Sequence, residues 1–212
     1  MTIRSRKSPL FFDLWSRNYD NPVVQRLFYR PEQDAVLRAL QRIRPGSVLD
    51  VGCGTGQLTR RIKRLLPDTR VVGCDFSPGM LRRAARGGDE FALVRSDALA
   101  LPFSDESFDA IVTTEAFHWF PDQPAACREF ARVLTPGGFV FASLINVPCD
   151  SFSNATHRGS RITGQPLHWP TRSGMRSLLS NAGLSVKQQR PIRRVPPSWF
   201  FPTVLTVASR SG

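Results

Sequence analysis

The sequence predicts an α/β fold, namely a doubly wound, mostly parallel seven-stranded sheet with helices on both faces. Short apolar runs, which are typical of buried strands, alternate with stretches in which apolar residues recur at helical spacing. Parallel strands need crossover connections, and these are nearly always right-handed. The alternation therefore predicts a sheet that helices cover on both sides.

The predicted elements follow this alternation along the chain. Strands are expected at 47–51, 70–74, 91–95, 108–114, 139–144, 184–189 and 204–208. Helices are expected at 32–43, 57–66, 78–85, 123–134 and 171–182. Ser77 is a typical N-cap, the Pro-Gly-Gly segment at 136–138 is expected to end the fourth helix, and Gly183 the fifth.

The loops that leave the strands are the expected ligand-binding region. In doubly wound sheets, ligands bind at the carboxyl ends of the strands, near the point where the strand order reverses. The loops at 52–56, 75–80, 97–103 and 115–120 are thus predicted to share one edge of the sheet.

The chain is strongly basic, with a formal net charge of +12. Lysine occurs only at Lys7, Lys63 and Lys187, so arginine makes up the rest of the 29 basic residues. A basic surface raises the chance of an anionic partner such as a nucleic acid. The arginines are scattered, however, and this favours solvated helix faces.

Composition also restricts the location and the kind of site. No apolar run has the roughly 18 residues of a membrane span, and the N-terminal apolar stretch is too short for a secretory signal. We therefore expect a cytoplasmic protein with no transmembrane segment. The four cysteines form no C-x-x-C pair, so we expect neither a metal site nor a disulfide.

The segment V-L-D-V-G-C-G-T-G at 48–56 joins a strand to a helix through a glycine-rich turn. Gly52, Gly54 and Gly56 allow a sharp turn and a close approach of backbone to ligand. The spacing differs from the G-x-G-x-x-G of dinucleotide sites, since Gln57 stands at the sixth position. Asp50, at the strand end, suits a ligand that bears an ammonium and a sulfonium.

This segment resembles motif I of the class I S-adenosylmethionine-dependent methyltransferases, in the methyltransferase type 11 group. The resemblance runs from about Phe12 to Leu144 and is specific between 48 and 141. It implies a Rossmann-like methyltransferase fold with S-adenosyl-L-methionine as cofactor. Asp50, Gly52, Cys53, Gly54 and Gly56 are the expected contacts from this turn.

The second strand supplies the next expected contacts. Asp75 ends that strand, where an acidic side chain can accept hydrogen bonds from both hydroxyls of a ribose. The resemblance implies the same role. Phe76 is expected to cover the adenine, and Met80 resembles the apolar contact of the family on the adenine side.

Two further segments resemble the family's cofactor site. In the stretch 96–109, Asp97 is expected to accept a hydrogen bond from the adenine amino group, and the Ala98 backbone N–H to meet a ring nitrogen. For Asp97 the alternative is a loop aspartate that binds turn amides. Near the N-terminus, Tyr19 is the candidate for a tyrosine that closes over the cofactor.

The loop after the fourth strand is expected to face the methyl group. It lacks the polar-Pro-Pro-aromatic motif of nucleic-acid amino methyltransferases. Glu115 is predicted to contact the cofactor, and Phe117, His118 and Trp119 to line the acceptor site, because aromatic rings can surround a methyl donor and an apolar acceptor. His118 is either a general base or a structural hydrogen-bonding residue.

These features predict methyl transfer to a small-molecule or lipid-like acceptor. The aromatic groups at 11–15, 117–120 and 199–201 favour an apolar acceptor over a nucleic acid. An RNA methyltransferase and a non-catalytic binding module on the same fold are the alternatives. A cysteine nucleophile at Cys149 is disfavoured, because the loop after the fourth strand has no Pro-Cys partner.

The whole chain, 1–212, is expected to be a single domain. The predicted parts are an N-terminal helical covering segment at 1–45, the cofactor-binding core at 46–144, an insertion and a helix at 145–183, and the last two strands at 184–212.

Overall fold

The central sheet forms from the apolar runs that the sequence predicts. The computed structural model describes residues 21, 23, 25–88, 91–145, 147–155, 167–192 and 203–212. Within them the strands are β1 (Ser47–Val51), β2 (Arg70–Asp75), β3 (Ala92–Arg95), β4 (Phe108–Thr114), β5 (Leu134–Ile145), β6 (Leu184–Ile192) and β7 (Thr203–Arg210).

These strands form one seven-stranded sheet in the order β3-β2-β1-β4-β5-β7-β6. The pairs among β1 to β5 are parallel, and β7 runs antiparallel to β5 and β6. The first strand, β1, lies near the middle of the sheet. The next two strands add outwards to β3, and β4 then pairs with the other side of β1. The predicted doubly wound, mostly parallel sheet is confirmed, and its strand order reverses between β1 and β4.

Helices follow the strands as the periodicity predicts. They are α1 (Arg30–Ile43), α2 (Gln57–Leu65), α3 (Pro78–Ala85), α4 (Gln123–Val133) and α5 (Arg172–Asn181), and residues 150–155 are also helical. A π-helical turn at Gln25–Tyr29 precedes α1. Ser77 caps α3, because its side chain accepts a hydrogen bond from the Met80 N–H.

The two faces of the sheet carry separate apolar cores. Leu40 of α1 and Ile62 of α2 pack with Val48 and other residues of one face. Phe130 of α4 and Met175 of α5 pack with the opposite face. Neighbouring strand residues alternate between the two cores because successive side chains of a strand point to opposite sides.

The connection from α4 to β5 differs from the prediction. We expected the Pro-Gly-Gly segment at 136–138 to separate the helix from the strand, but β5 already begins at Leu134. Phe108 pairs with Leu134, whereas Ala110 pairs with Phe139, so the register shifts between them. The Pro-Gly-Gly segment therefore lies inside the strand as an irregularity that absorbs extra residues.

No helix in the described part of the chain is both long and apolar enough to cross a membrane.

Candidate active site

A cavity of about 350 Å³ opens at the carboxyl ends of β1, β2 and β4. This is the edge at which the strand order reverses, and it is the place where doubly wound sheets bind ligands. The lining residues come from the carboxyl ends of these strands, from the loops after β1, β2, β3 and β4, and from the π-helical turn. They are Tyr29, Val51, Gly52, Gly54, Cys74, Asp75, Phe76, Ser77, Met80, Ser96, Ala98, Thr114, Glu115, Ala116, His118, Trp119 and Phe120.

The turn after β1 brings backbone directly against the cavity. Gly52 and Gly54 have φ values of +76° and +56°, which favour glycine. A Cβ atom on Gly52 would lie 2.4 Å from the Cβ of Ala116, in the loop after β4. The N–H groups of Gly52 and Cys53 both donate to the Cys74 carbonyl, at 2.8 and 3.0 Å. Glycine at position 52 therefore allows the β1 and β4 loops to meet.

Asp75 lies at the end of β2 with its carboxylate fixed by backbone groups. The Gly54 N–H donates to Oδ2 at 2.9 Å, and the Ser77 N–H donates to Oδ1 at 2.8 Å. A carboxylate offers about four lone-pair sites, so it can accept hydrogen bonds from several donors at once. This arrangement can receive two adjacent hydroxyl groups, as predicted for a ribose.

Asp50 lies behind the turn, although we expected it to contact the ligand. It is buried, and the Thr59 hydroxyl of α2 donates to its Oδ2 at 2.6 Å. Burial raises the pKa of Asp50 to about 7, a rise that the Thr59 hydrogen bond opposes. The β1 side chains alternate between the two faces of the sheet, so this carboxyl meets α2 and does not line the cavity.

Two other predicted contacts of the same turn also lie away from the cavity. Cys53 is buried against Gly73, and burial raises the pKa of its thiol well above the ordinary value. Gly56 faces Ala84 of α3, where an added Cβ would lie 3.2 Å from the Ala84 Cβ. These positions support the turn from behind.

The residues predicted to contact the adenine also fall into two groups, those that line the cavity and one that does not. Phe76, Met80 and Ala98 line the cavity. Asp97 is not among the described lining residues, and its Oδ1 accepts from the Leu99 N–H at 3.1 Å. The aspartate thus closes a turn through a backbone amide, which is the alternative that the sequence left open.

Glu115 lies in the cavity directly after β4. Its φ is +48°, an uncommon conformation for a residue other than glycine. The side chain is only 12% exposed. Burial raises the pKa of Glu115 to about 8, while a hydrogen bond from the Ile145 backbone lowers it.

His118 is buried beside Glu115. Its Nδ1 lies 3.9 Å from Glu115 Oε2 and has no hydrogen-bond partner within the described residues. Burial lowers the pKa of His118 to about 3. Its ring stacks on Trp169 at 5.3 Å with an interplanar angle of 29°, and Trp119 lies 5.1 Å away. The imidazole is therefore neutral at physiological pH and forms part of an aromatic wall.

Phe117 was predicted to line the cavity, but it lies in the core instead. It is fully buried, with its ring 5.5 Å from Phe120 and 6.4 Å from Phe130 of α4. Residues 117–119 form a 3₁₀ turn. Three residues per turn direct Phe117 into the core and His118 and Trp119 towards the cavity.

Residues 167–170, far from the 3₁₀ turn in the sequence, hold this turn through hydrogen bonds. The His168 N–H donates to the His118 carbonyl at 2.9 Å, and Gln123 Nε2 donates to the His168 carbonyl at 2.7 Å. The Ser153 hydroxyl donates to the Trp169 carbonyl at 2.7 Å. The sequence predicted only a surface insertion here, since nothing local indicates contacts to a turn some 50 residues earlier.

The N-terminal region contributes Tyr29 to the cavity. We predicted a tyrosine from this region but chose Tyr19, which lies outside the described residues. The aromatic groups at 11–15 and 199–201 lie outside them as well.

Comparisons with known proteins find methyltransferases. A family model described as a methyltransferase domain matches residues 49–142. Demethylmenaquinone methyltransferase of Thermus thermophilus is 44% identical over 108 residues, which cover 49% of this chain and 49% of that protein. Malonyl-acyl-carrier-protein O-methyltransferase of Hahella chejuensis is 38% identical over 103 residues, which cover 48% of this chain and 37% of that protein.

The chain thus spans about half, or less, of the length of these curated relatives. Among solved structures, a chain of the Haloferax volcanii complex that contains the Trm112 methyltransferase activator superposes with a TM-score of 0.77 and 24% identity. That match covers 95% of this chain and 98% of the other. At this identity it establishes the fold.

Proposed function

We propose that the chain is a class I S-adenosylmethionine-dependent methyltransferase and that it methylates a small-molecule or lipid-like acceptor held beside the loop after β4. One observation carries the proposal. A single cavity has a fixed carboxylate, Asp75, at one end and the aromatic side chains of Trp119 and Phe120 at the other.

The β1–β2 end of this cavity fits the cofactor of the family. Asp75 offers both oxygens to a ribose, and Phe76 and Met80 offer an apolar surface to a flat base. A Cβ on Gly52 would clash with the Ala116 Cβ, so the close contact between these two loops requires glycine. We propose Gly52, Gly54, Asp75, Phe76, Met80 and Ala98 as the cofactor-binding residues that touch it directly.

The bound cofactor supplies an electrophilic methyl group on a positively charged sulfur. The residues of the chain hold the acceptor in line and exclude water, and such positioning provides much of the rate of a displacement reaction. Trp119 and Phe120 are placed for this, and His118, neutral and stacked on Trp169, shapes the wall beside them.

The two curated relatives support a small-molecule or lipid-like acceptor, since one is named for demethylmenaquinone and the other for malonyl-acyl-carrier protein. The described arginines give less support to a nucleic acid. Arg60 donates to the Thr55 and Ala84 carbonyls, and Arg61 pairs with Asp34. These guanidinium groups hold α2 against its neighbours.

The test is methyl incorporation from labelled S-adenosylmethionine into a cell extract that is then separated into RNA, protein and organic-solvent-extractable fractions. We expect label in the extractable fraction. Trp119→Ala should reduce it by about tenfold or more, as expected when a large apolar contact is lost. Ile43→Ala, at an exposed apolar residue of α1 away from the cavity, should leave it unchanged. Label confined to RNA would contradict the proposal.

A further inference from the structure

The guanidinium group of Arg132, in the last turn of α4, makes five hydrogen bonds, as many as it has N–H groups. Nε and Nη2 donate to the two carboxylate oxygens of Glu129, at 2.8 and 2.7 Å. Nη2 also donates to the Leu101 carbonyl at 3.0 Å, and Nη1 donates to the Phe103 carbonyl at 2.7 Å and to Asp105 Oδ1 at 2.8 Å. The side chain therefore ties one loop, the loop after β3, to α4.

Leu101 is the residue of this loop that the ion pair holds from two sides. Its carbonyl accepts from Arg132, and its N–H donates to Glu129 Oε2 at 2.7 Å. The hydrogen bond from Arg132 also lowers the pKa of Glu129, so the acceptor is a carboxylate at neutral pH. An ion pair near the surface is usually weak, but a bidentate pair with further backbone partners fixes a geometry.

The same loop forms the wall of the cavity on the side predicted for the adenine. Ser96 and Ala98, which precede Leu101, both line the cavity. The Ser96 N–H donates to the Asp75 carbonyl of β2 at 3.1 Å. The loop is thus bound to β2 before Ala98 and to α4 after it, and the position of Ala98 depends on both attachments.

We propose that Glu129 and Arg132 are positioning residues of the cofactor site, which hold Ala98 against the adenine although they do not themselves line the described cavity. The inference rests on the proposed function, since it requires an adenine beside Ala98. A hydrogen bond weakens steeply when its donor is tilted or displaced. The ion pair therefore acts on how well the site recognises the base, in addition to any contribution to folding.

Two ligands isolate recognition of the base. S-Adenosylhomocysteine has an unprotonated ring nitrogen, N1, beside an amino group, whereas S-inosylhomocysteine has a protonated N1 beside a carbonyl oxygen and is otherwise the same. Calorimetry of the wild type should show tighter binding of S-adenosylhomocysteine, because a site that matches one pattern leaves polar groups unpaired with the other.

Arg132→Lys keeps the positive charge but lacks the planar fork, so it cannot hold Glu129 and the loop together. We expect it to weaken the binding of S-adenosylhomocysteine by about tenfold, as for other residues that act on a site through a packed network. The ratio of the affinities for S-adenosylhomocysteine and S-inosylhomocysteine should fall towards one. A purely structural role would lower the unfolding free energy and leave this ratio unchanged.

Arg210→Lys is the matched control. Arg210 also joins a carboxylate, that of Glu106 at 2.9 Å, to a backbone carbonyl, that of Leu134, and its side chain is 29% exposed against 30% for Arg132. These partners lie just before β4 and at the start of β5, at the edge of the sheet opposite to the cavity. The variant should keep the wild-type ratio of the two affinities, even if it loses as much unfolding free energy as Arg132→Lys.

The outcomes separate the possible failures. If the folded wild type binds neither ligand, the proposed function itself is wrong. If it binds both equally, or if Arg132→Lys keeps the wild-type ratio, only the positioning role is wrong. An equal fall of the ratio in Arg210→Lys would also overturn the inference, because the effect would then follow general stability. Should Arg132→Lys fail to fold, Glu129→Gln decides, since it keeps the size of the side chain but loses the carboxylate, and an unchanged ratio there would overturn the inference.

Discussion

The two ends of the cavity are built in different ways. At the β1–β2 end, backbone groups of the two loops after β1 and β2 fix the site, as the two N–H donors to the Asp75 carboxylate show. At the β4 end, side chains from distant parts of the chain fix it. His118 is held by Trp169 and by backbone contacts with His168.

This difference separates what is general from what is particular to this protein. The backbone N–H groups and the glycine turn are proposed to contact only the cofactor, so they suit any methyl acceptor. Side chains that depend on long-range contacts can vary without loss of the cofactor end. We therefore expect substitutions at the first end to affect cofactor affinity, and substitutions at the second to affect acceptor use and pH behaviour.

The largest expected effect is at Gly52, where the two ends meet. Gly52→Ala adds a Cβ that would lie 2.4 Å from the Ala116 Cβ, in a residue with φ +76°. We expect a loss of about 3 kcal/mol in the free energy of unfolding, from overpacking and left-handed strain together. Cofactor binding should also be abolished. Thermal or denaturant unfolding and calorimetry measure these effects.

Gly183→Ala is the control for Gly52→Ala. Gly183 has φ +83°, and an added Cβ there meets no atom of the described residues within 4 Å. It therefore carries the strain without the clash and should cost only about 1 kcal/mol. Equal losses in both variants would show that the close approach of the β1 and β4 loops is unimportant.

The next effect concerns two aspartates that the sequence predicts to contact the cofactor. Asp75→Ala removes the acceptor proposed for the ribose and should cost about 1–3 kcal/mol of cofactor binding. Asp97→Ala should cost less than about 1 kcal/mol, because Asp97 binds the Leu99 N–H and does not line the described cavity. Calorimetry of both variants measures the contrast. A loss at Asp97 as large as that at Asp75 would restore Asp97 as an adenine ligand.

The sequence predicted the first end of the cavity well because its signals are local. Strand, glycine turn and helix follow one another within residues 47–65, and the strand end that carries Asp75 is recognisable by its apolar run. Three predicted contacts are exceptions, because Cys53, Gly56 and Asp50 do not line the described cavity. Asp50 shows the reason. Its position in the motif suggests a ligand contact, but only the packing of α2 reveals that its carboxyl meets Thr59.

The second end could be predicted only in part. The aromatic residues at 117–120 were visible, but which of them face the cavity depends on a 3₁₀ turn, and Phe117 points into the core. The role of Trp169 depends on contacts between residues far apart in the chain, which no local pattern records. The positive φ of Glu115 likewise follows from tertiary packing, because glutamate itself disfavours it.

The smallest effect in this series tests the burial of His118 through pH. Its pKa falls from 6.5 to about 3 in the folded protein, so the unfolded chain binds a proton more readily. The stability that neutral His118 provides is present above pH 6.5 and is lost as the pH falls below that value. At pH 5.5 the loss should be about 1.4 kcal/mol, since one pKa unit corresponds to that energy. His118→Asn removes this contribution.

The measurement is the difference in unfolding free energy between wild type and His118→Asn at pH 7.5 and at pH 5.5. Asp50 has a raised pKa and gains stability as the pH falls, but it is present in both proteins and cancels in the difference. Glu115 lies 3.9 Å from His118 and would not cancel, so both proteins carry Glu115→Gln in this measurement. We expect the unfolding free energy of the wild type to fall relative to that of His118→Asn when the pH is lowered from 7.5 to 5.5. A difference that does not change with pH would mean that His118 accepts a proton readily. The imidazole would then be a candidate general base, and the acceptor end of the cavity would take part in proton transfer as well as in positioning the acceptor.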